Sequence, residues 1–64
     1  MKTFKKLYKA LTVTNKENSV IIYKVQKEGT QRTFFSLENT NGEKLSSTMF
    51  ARLYDAKRLA LKLV

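Results

Sequence analysis

The 64-residue sequence contains no cysteine and no histidine. Their absence excludes disulfide bridges and the usual zinc sites, which are built from these two residue types. It is compatible with a reducing compartment, and we expect a cytoplasmic protein. A domain of this length buries only about 60% of the surface that its unfolded chain exposes. Apolar packing must therefore supply the stability of the domain, and binding to a partner would be a second source of stability.

Residues suited to catalysis are also scarce. Only five acidic residues are present, and they lie mostly in predicted turns without the paired arrangement of an acid–base site: Glu17, Glu28, Glu38, Glu43 and Asp55. Gly29 and Gly42 are the only glycines, so there is no glycine-rich phosphate loop. No serine stands in a nucleophile-elbow motif. We predict that the protein is not an enzyme and uses neither a cofactor nor a metal ion.

Long hydrophobic runs are missing as well. No stretch approaches the roughly 18 consecutive apolar residues that indicate a transmembrane helix. The apolar part before Asn15 is short and interrupted by lysine and threonine, so it is a poor fit to a secretory signal. We predict a single domain over residues 1–64.

Positive charge is what the sequence has in excess. Thirteen Lys and Arg residues stand against five Asp and Glu residues, which gives a net charge of +8. Such an excess on a small body attracts phosphate backbones, anionic membranes or acidic proteins. Charge that serves solubility alone is the alternative interpretation.

The amino-terminal segment, residues 1–11, carries much of this charge and no acid. Its apolar residues recur with helical spacing, which predicts a short amphipathic helix or arm: Phe4, Leu7, Tyr8 and Leu11. Its lysines would form the opposite, basic face: Lys2, Lys5, Lys6 and Lys9.

The middle of the chain predicts an antiparallel sheet over residues 12–49. Residues 19–25 are rich in β-branched and aromatic side chains and form the clearest strand. Glu28-Gly29 marks a turn into a second strand over residues 31–38. A third strand follows, and Thr12-Val13 is left open as a fourth.

Asn41-Gly42 indicates the hairpin that leads into the third strand. A two-residue turn would place Leu45 on the face opposite Leu37. A three-residue loop over residues 40–42, with Gly42 left-handed, pairs Leu37 with Leu45 and sets Glu38 opposite a lysine, Lys44. We therefore predict the three-residue loop.

The last segment, residues 49–64, predicts a helix that packs on the sheet. Apolar residues recur at steps of three and four to form one stripe, which Phe50 and Leu59 widen: Met49, Leu53, Ala56, Ala60 and Leu63. Ser46, Ser47 and Thr48 are candidate caps. The predicted fold is thus α+β, a meander of three or four strands on a carboxyl-terminal helix.

The strand over residues 19–25 is apolar on both faces. The predicted helix covers one of them, so the other apolar face needs a second covering element or a ligand. Tyr23 and Phe34 on that remaining face have two interpretations. They are buried under the amino-terminal apolar stripe, or they form an aromatic surface suited to bases or grooves. In the second interpretation the surface is flanked by three basic residues: Lys24, Arg32 and Lys44.

A short motif follows these strands. It consists of an aromatic residue, Phe50, then four further residues, and then an acid and an alanine, Asp55 and Ala56. In this the chain resembles the three-stranded-sheet DNA-binding modules, namely the amino-terminal arm-binding domain of tyrosine integrases and the plant-type AP2 domain. The resemblance covers about residues 19–64. It implies a sheet lying in the major groove with the helix packed behind it.

Carried over by position, the resemblance implies strand contacts to DNA from Lys24, Arg32, Phe34 and Lys44, with the amino-terminal lysines on phosphates. Arg32 is the candidate for a base contact, because its guanidinium can bond a guanine edge in bidentate fashion. We predict a small basic nucleic-acid-binding protein whose partner is DNA or RNA, with double-stranded DNA favoured. We expect it to be accessory or regulatory and of bacterial or phage type. The alternative is a protein-interaction module or inhibitor that docks an acidic partner protein.

Overall fold

The fold is a three-stranded antiparallel sheet followed by one helix. The computed structural model describes residues 4–46 and 49–64. Its elements are β1 (Phe4–Asn15), β2 (Asn18–Lys27), β3 (Thr33–Glu38) and α1 (Leu53–Leu63). The strands lie in sequence order, with β2 in the centre. The predicted α+β class, a meander with a carboxyl-terminal helix, is confirmed.

The amino-terminal segment differs from its prediction. Residues 4–15 form strand β1, paired with β2, and not a helix followed by a separate short strand. The register of β1 shifts between Lys6 and Tyr8 and again between Lys9 and Leu11. Each shift inserts an extra residue, as a β-bulge does. In a regular strand, residues on one face recur every two positions. The two inserted residues lengthen this spacing to three or four positions, which resembles the spacing of a helix. The prediction of an amino-terminal helix was wrong for this reason.

Strand β1 forms the free edge of the sheet, since in the described part of the chain it pairs with β2 alone. An edge strand exposes unpaired backbone groups that invite pairing with other chains. Bulges and lysines are two of the devices that discourage such pairing, and β1 carries both.

The core lies between the sheet and α1. Ile22 of β2 and Leu37 of β3 are fully buried, and they share this space with apolar side chains from all three strands. From the helix, Ala56 and Ala60 are fully buried. Because alanine is small, the helix backbone can approach the sheet closely at these two positions. Leu53 and Leu63, which the sequence pattern placed in the packed stripe, are 38% and 43% exposed.

Helix α1 begins at Leu53, four residues later than predicted. Phe50 is held in a backbone bridge with Phe35 of β3, with N–H···O distances of 2.7 and 3.0 Å. Those bonds keep the chain extended up to Arg52, which occupies the N-cap position without a side-chain capping bond. Of the candidate caps, Ser46 lies well before the helix, while Ser47 and Thr48 lie outside the described residues.

The predicted three-residue loop is confirmed, although the third strand shrinks to a short bridge. Gly42 has a left-handed φ of +87°. Glu38 pairs with Lys44, and the Leu45 amide donates to the Leu37 carbonyl at 2.9 Å. The Asn39 side chain explains the tightness of the loop, because its Oδ1 accepts bonds from the backbone amides of Asn41 within the loop and Glu43 just after it.

Truncation of the core leucine tests this packing. We expect Leu37→Ala to lower the free energy of unfolding by about 2–5 kcal/mol, because it leaves a cavity between β3 and α1. The matched control is Leu61→Ala on the exposed side of α1, where 56% of the residue is exposed and we expect a change within about 0.5 kcal/mol. Urea unfolding measures both, and equal losses would contradict the assigned core.

Candidate nucleic-acid interface

The sheet face opposite α1 is the candidate site, and we call it the open face. Alternation along β2 places Tyr23 and Val25 on this face, because Ile22 points into the core. The strand pairings extend the open face to both neighbours, β1 and β3, through the residues Phe4, Lys6, Lys9, Phe34, Ser36 and Glu38. Among the described residues, no helix or strand lies over it.

The interpretation that the amino-terminal apolar stripe buries Tyr23 and Phe34 is wrong in part, because Tyr8 and Leu11 of the stripe lie on the helix side of the sheet. Phe4 and Phe34 instead meet edge to face within the sheet, with ring centroids 5.9 Å apart and an interplanar angle of 86°. Tyr23 lies under the Lys6 ammonium, which is 4.4 Å from the ring centroid. Each ring is partly buried. The open face therefore presents a partly apolar surface held in place by contacts between side chains.

An ion pair crosses the open face from β1 to β3. Lys6 Nζ lies 2.9 Å from Glu38 Oε1, and the Lys6 side chain is 53% exposed while that of Glu38 is 6% exposed. Sequence analysis placed Lys44 opposite Glu38, which the backbone bridge confirms, but the ion pair is made with Lys6. Solvent screens the ammonium, so the pair matters chiefly because it compensates a buried carboxylate.

A cleft of about 230 Å³ opens beside this ion pair. Lys6 and Lys44 line it together with Glu38 and Ser36, and its apolar walls come from Phe4, Val25 and Met49. Sequence analysis missed Glu38 as a site residue. The sequence could have shown this, because Glu38 stands four residues after Phe34 in one strand, and an even spacing puts both side chains on the same face.

The structure brings together some of the predicted contact residues. Lys6, Lys9, Phe34 and Lys44 all belong to the open face or its cleft. Arg32 directly precedes β3 and is exposed. Its carbonyl accepts a hydrogen bond from the Lys27 amide. Because side chains alternate between the two faces of a strand, Arg32 lies on the same face as Phe34.

Other predicted residues lie elsewhere. Lys24 is on the helix side of the sheet, with its ammonium 4.2 Å from the centroid of the Phe35 ring, so the prediction that it flanks the same face as Phe34 is wrong. Lys5 pairs with Gln26 and also falls on the helix side. Lys2 lies outside the described residues. Lys27, which sequence analysis did not single out, alternates with Val25 onto the open face.

Two further observations concern metal binding and membrane spans. The described residues contain no group of three or more potential metal-ligating side chains. Within the same ranges, no helix has the length and apolar character needed to cross a membrane.

Comparisons with known proteins add no identification. No protein-family model, curated protein sequence or solved structure matches the chain significantly. The site must therefore be interpreted from its own geometry and charge.

The Lys6–Glu38 pair predicts a difference between two lysines of β1. We expect Lys6→Met to lower the free energy of unfolding by about 1–3 kcal/mol, because it leaves the buried Glu38 carboxylate without its partner. Lys9→Met is the matched control on the same face, and we expect a change within about 0.5 kcal/mol. Adding Glu38→Gln to Lys6→Met should recover part of the loss, because a neutral amide costs less to bury. Thermal and urea unfolding would contradict the pairing if both lysine variants behaved alike.

Proposed function

We propose that this protein binds nucleic acid, specifically double-stranded DNA, through the open face. The observation that carries the proposal is the distribution of charge on that face. Five basic residues belong to it or border it, namely Lys6, Lys9, Lys27, Arg32 and Lys44. The acid on it is Glu38, which is buried and already paired with Lys6.

The dimensions of the sheet support a duplex as the ligand. Three strands spaced about 4.8 Å apart span roughly 10 Å between the outer two. The major groove of B-DNA is about 12 Å wide and admits an α-helix or a two-stranded β-ribbon, so a span of about 10 Å is within its width. The helix lies behind the sheet and leaves this face accessible. This is the arrangement that the resemblance to integrase arm-binding and AP2 domains implies.

The side chains divide into two roles under this proposal. Lys9, Lys27 and Lys44 are exposed ammonium groups, and they serve phosphates as point charges. Arg32 is exposed beside Phe34, and its planar guanidinium suits a bidentate contact with a guanine edge. The absence of an enclosed acid–base constellation among the described residues favours an accessory or regulatory role over catalysis.

A second candidate function, docking of an acidic protein, is favoured by the outer surface of α1. Tyr54 is 67% exposed there, and Leu61 is also exposed. The Arg58 guanidinium carbon lies 5.8 Å from the centroid of the Tyr54 ring. Exposed aromatic and arginine side chains are enriched at protein interfaces, and positive charge complements an acidic partner.

Salt-dependent DNA binding tests the first proposal. We expect fluorescence anisotropy of a labelled duplex, measured across roughly 50 to 300 mM salt, to show log affinity falling by about 0.9 per phosphate neutralised. The double variant Arg32→Ala, Lys44→Ala should weaken binding and reduce this slope by about one unit, because Lys44 serves a phosphate while Arg32 contacts a base edge.

The matched control removes two lysines from the helix, Lys57→Ala and Lys62→Ala, which are also exposed. It changes the net charge by the same amount but should leave the slope nearly unchanged, because these residues do not belong to the open face. Equal losses from both double variants would show that charge alone governs binding. No measurable duplex binding by the parent protein would overturn the proposal.

A further inference from the structure

The cleft between Lys6 and Lys44 has properties that non-specific phosphate binding does not require. Its volume of about 230 Å³ lies below the roughly 300–1,000 Å³ of pockets that hold drug-sized ligands. It therefore suits a single ring system. Its walls include the Phe4 ring and the apolar side chains of Val25 and Met49, which can contact the faces of a planar group.

The acidic group that lines this cleft is the Glu38 carboxylate. Its residue is only 4% exposed, and Oε1 accepts one bond from Lys6. A carboxylate offers about four acceptor sites, so the single hydrogen bond from Lys6 leaves it able to accept a ligand's donors.

Among the four DNA bases, guanine matches these acceptors best. Its Watson–Crick edge carries two adjacent donors, N1–H and the N2 amino group, which can meet both oxygens of one carboxylate as an arginine does. Adenine and cytosine each place an acceptor beside their donor. Thymine has one donor flanked by two carbonyls, which a carboxylate repels. The O6 of guanine completes the match, since an ammonium at the rim can donate to it.

We propose that the cleft binds one unpaired guanine, with Glu38 accepting from N1–H and N2 and with Lys6 and Lys44 serving O6 and the flanking phosphates. The guanine must be unpaired because pairing with cytosine occupies the same edge. This inference rests on the proposed nucleic-acid binding and names the base that the open face selects. DNA and RNA offer the same edge, so the chemistry is shared between them.

The test uses one labelled DNA duplex in four forms: fully paired, or with a single extrahelical guanine, hypoxanthine or thymine at the same position. We expect the guanine bulge to bind about tenfold tighter than the thymine bulge, as hydrogen bonds to a charged group provide. Hypoxanthine lacks the N2 amino group but keeps N1–H and O6, so it should bind with an affinity between those of guanine and thymine. An RNA duplex with the same guanine bulge shows which nucleic acid the site prefers.

Two variants locate the effect. Glu38→Gln replaces one acceptor oxygen by a donor. The affinities for the guanine and thymine bulges should then differ by no more than about twofold, while the dependence of log affinity on log salt should not change. Glu17→Gln removes the same charge from the exposed β1–β2 turn and should preserve the preference. The hypoxanthine probe needs no change in the protein, so the test remains decisive if Glu38→Gln unfolds.

The outcomes separate the two proposals. Binding to all four duplexes with equal affinity would overturn the guanine site and leave the proposed function standing. A guanine preference that survives Glu38→Gln in a folded protein would also overturn the site. Failure to bind any duplex, DNA or RNA, would overturn both.

Discussion

Burial of the central strand on both faces is the constraint on which the rest of the structure depends. On one side Ile22 is fully covered, with Ala56 and Ala60 of the helix closing the same core. On the other side Val25 is 2% exposed although no helix of the described residues covers it. Side chains from β1 and from the chain after β3 surround it instead. The described part of the chain has one helix, α1, which can cover only one face of the sheet.

The open face is therefore a compromise between burial and access. Phe4 and Lys6 reach inward from the edge strand and reduce the apolar surface that Phe34 and Tyr23 would otherwise present to water. The lysine stem does this while its ammonium stays near solvent. A fully covered face would offer no site, and an uncovered apolar face of this size would favour aggregation. The result is a surface that is apolar at its centre and basic at its rim.

The buried acid has a structural consequence for the basic face. Glu38 removes part of the positive charge at the centre, so the lysines and Arg32 at the rim dominate the surface. Its carboxylate lies at the end of β3 and pairs with Lys6 of β1, so the ion pair joins two strands that are separated by β2 in the sheet. A charge pair of limited net stability can still specify how such strands are arranged. In this chain it also leaves a polar group inside an apolar cleft.

The sequence by itself determined the class of fold, the central strand, the three-residue loop and the helix over most of its length. Local signals carry these features: β-branched runs, Asn-Gly turn chemistry, and apolar spacing of three and four. Only the tertiary structure decided that residues 4–15 form a strand, because two bulges disguise its period and the pairing with β2 outweighs the local pattern. It also decided which lysines share a face. Lys6 and Lys44 meet at one cleft while Lys24 lies on the opposite side. Strand register places residues distant in sequence next to each other, and no local signal encodes that placement.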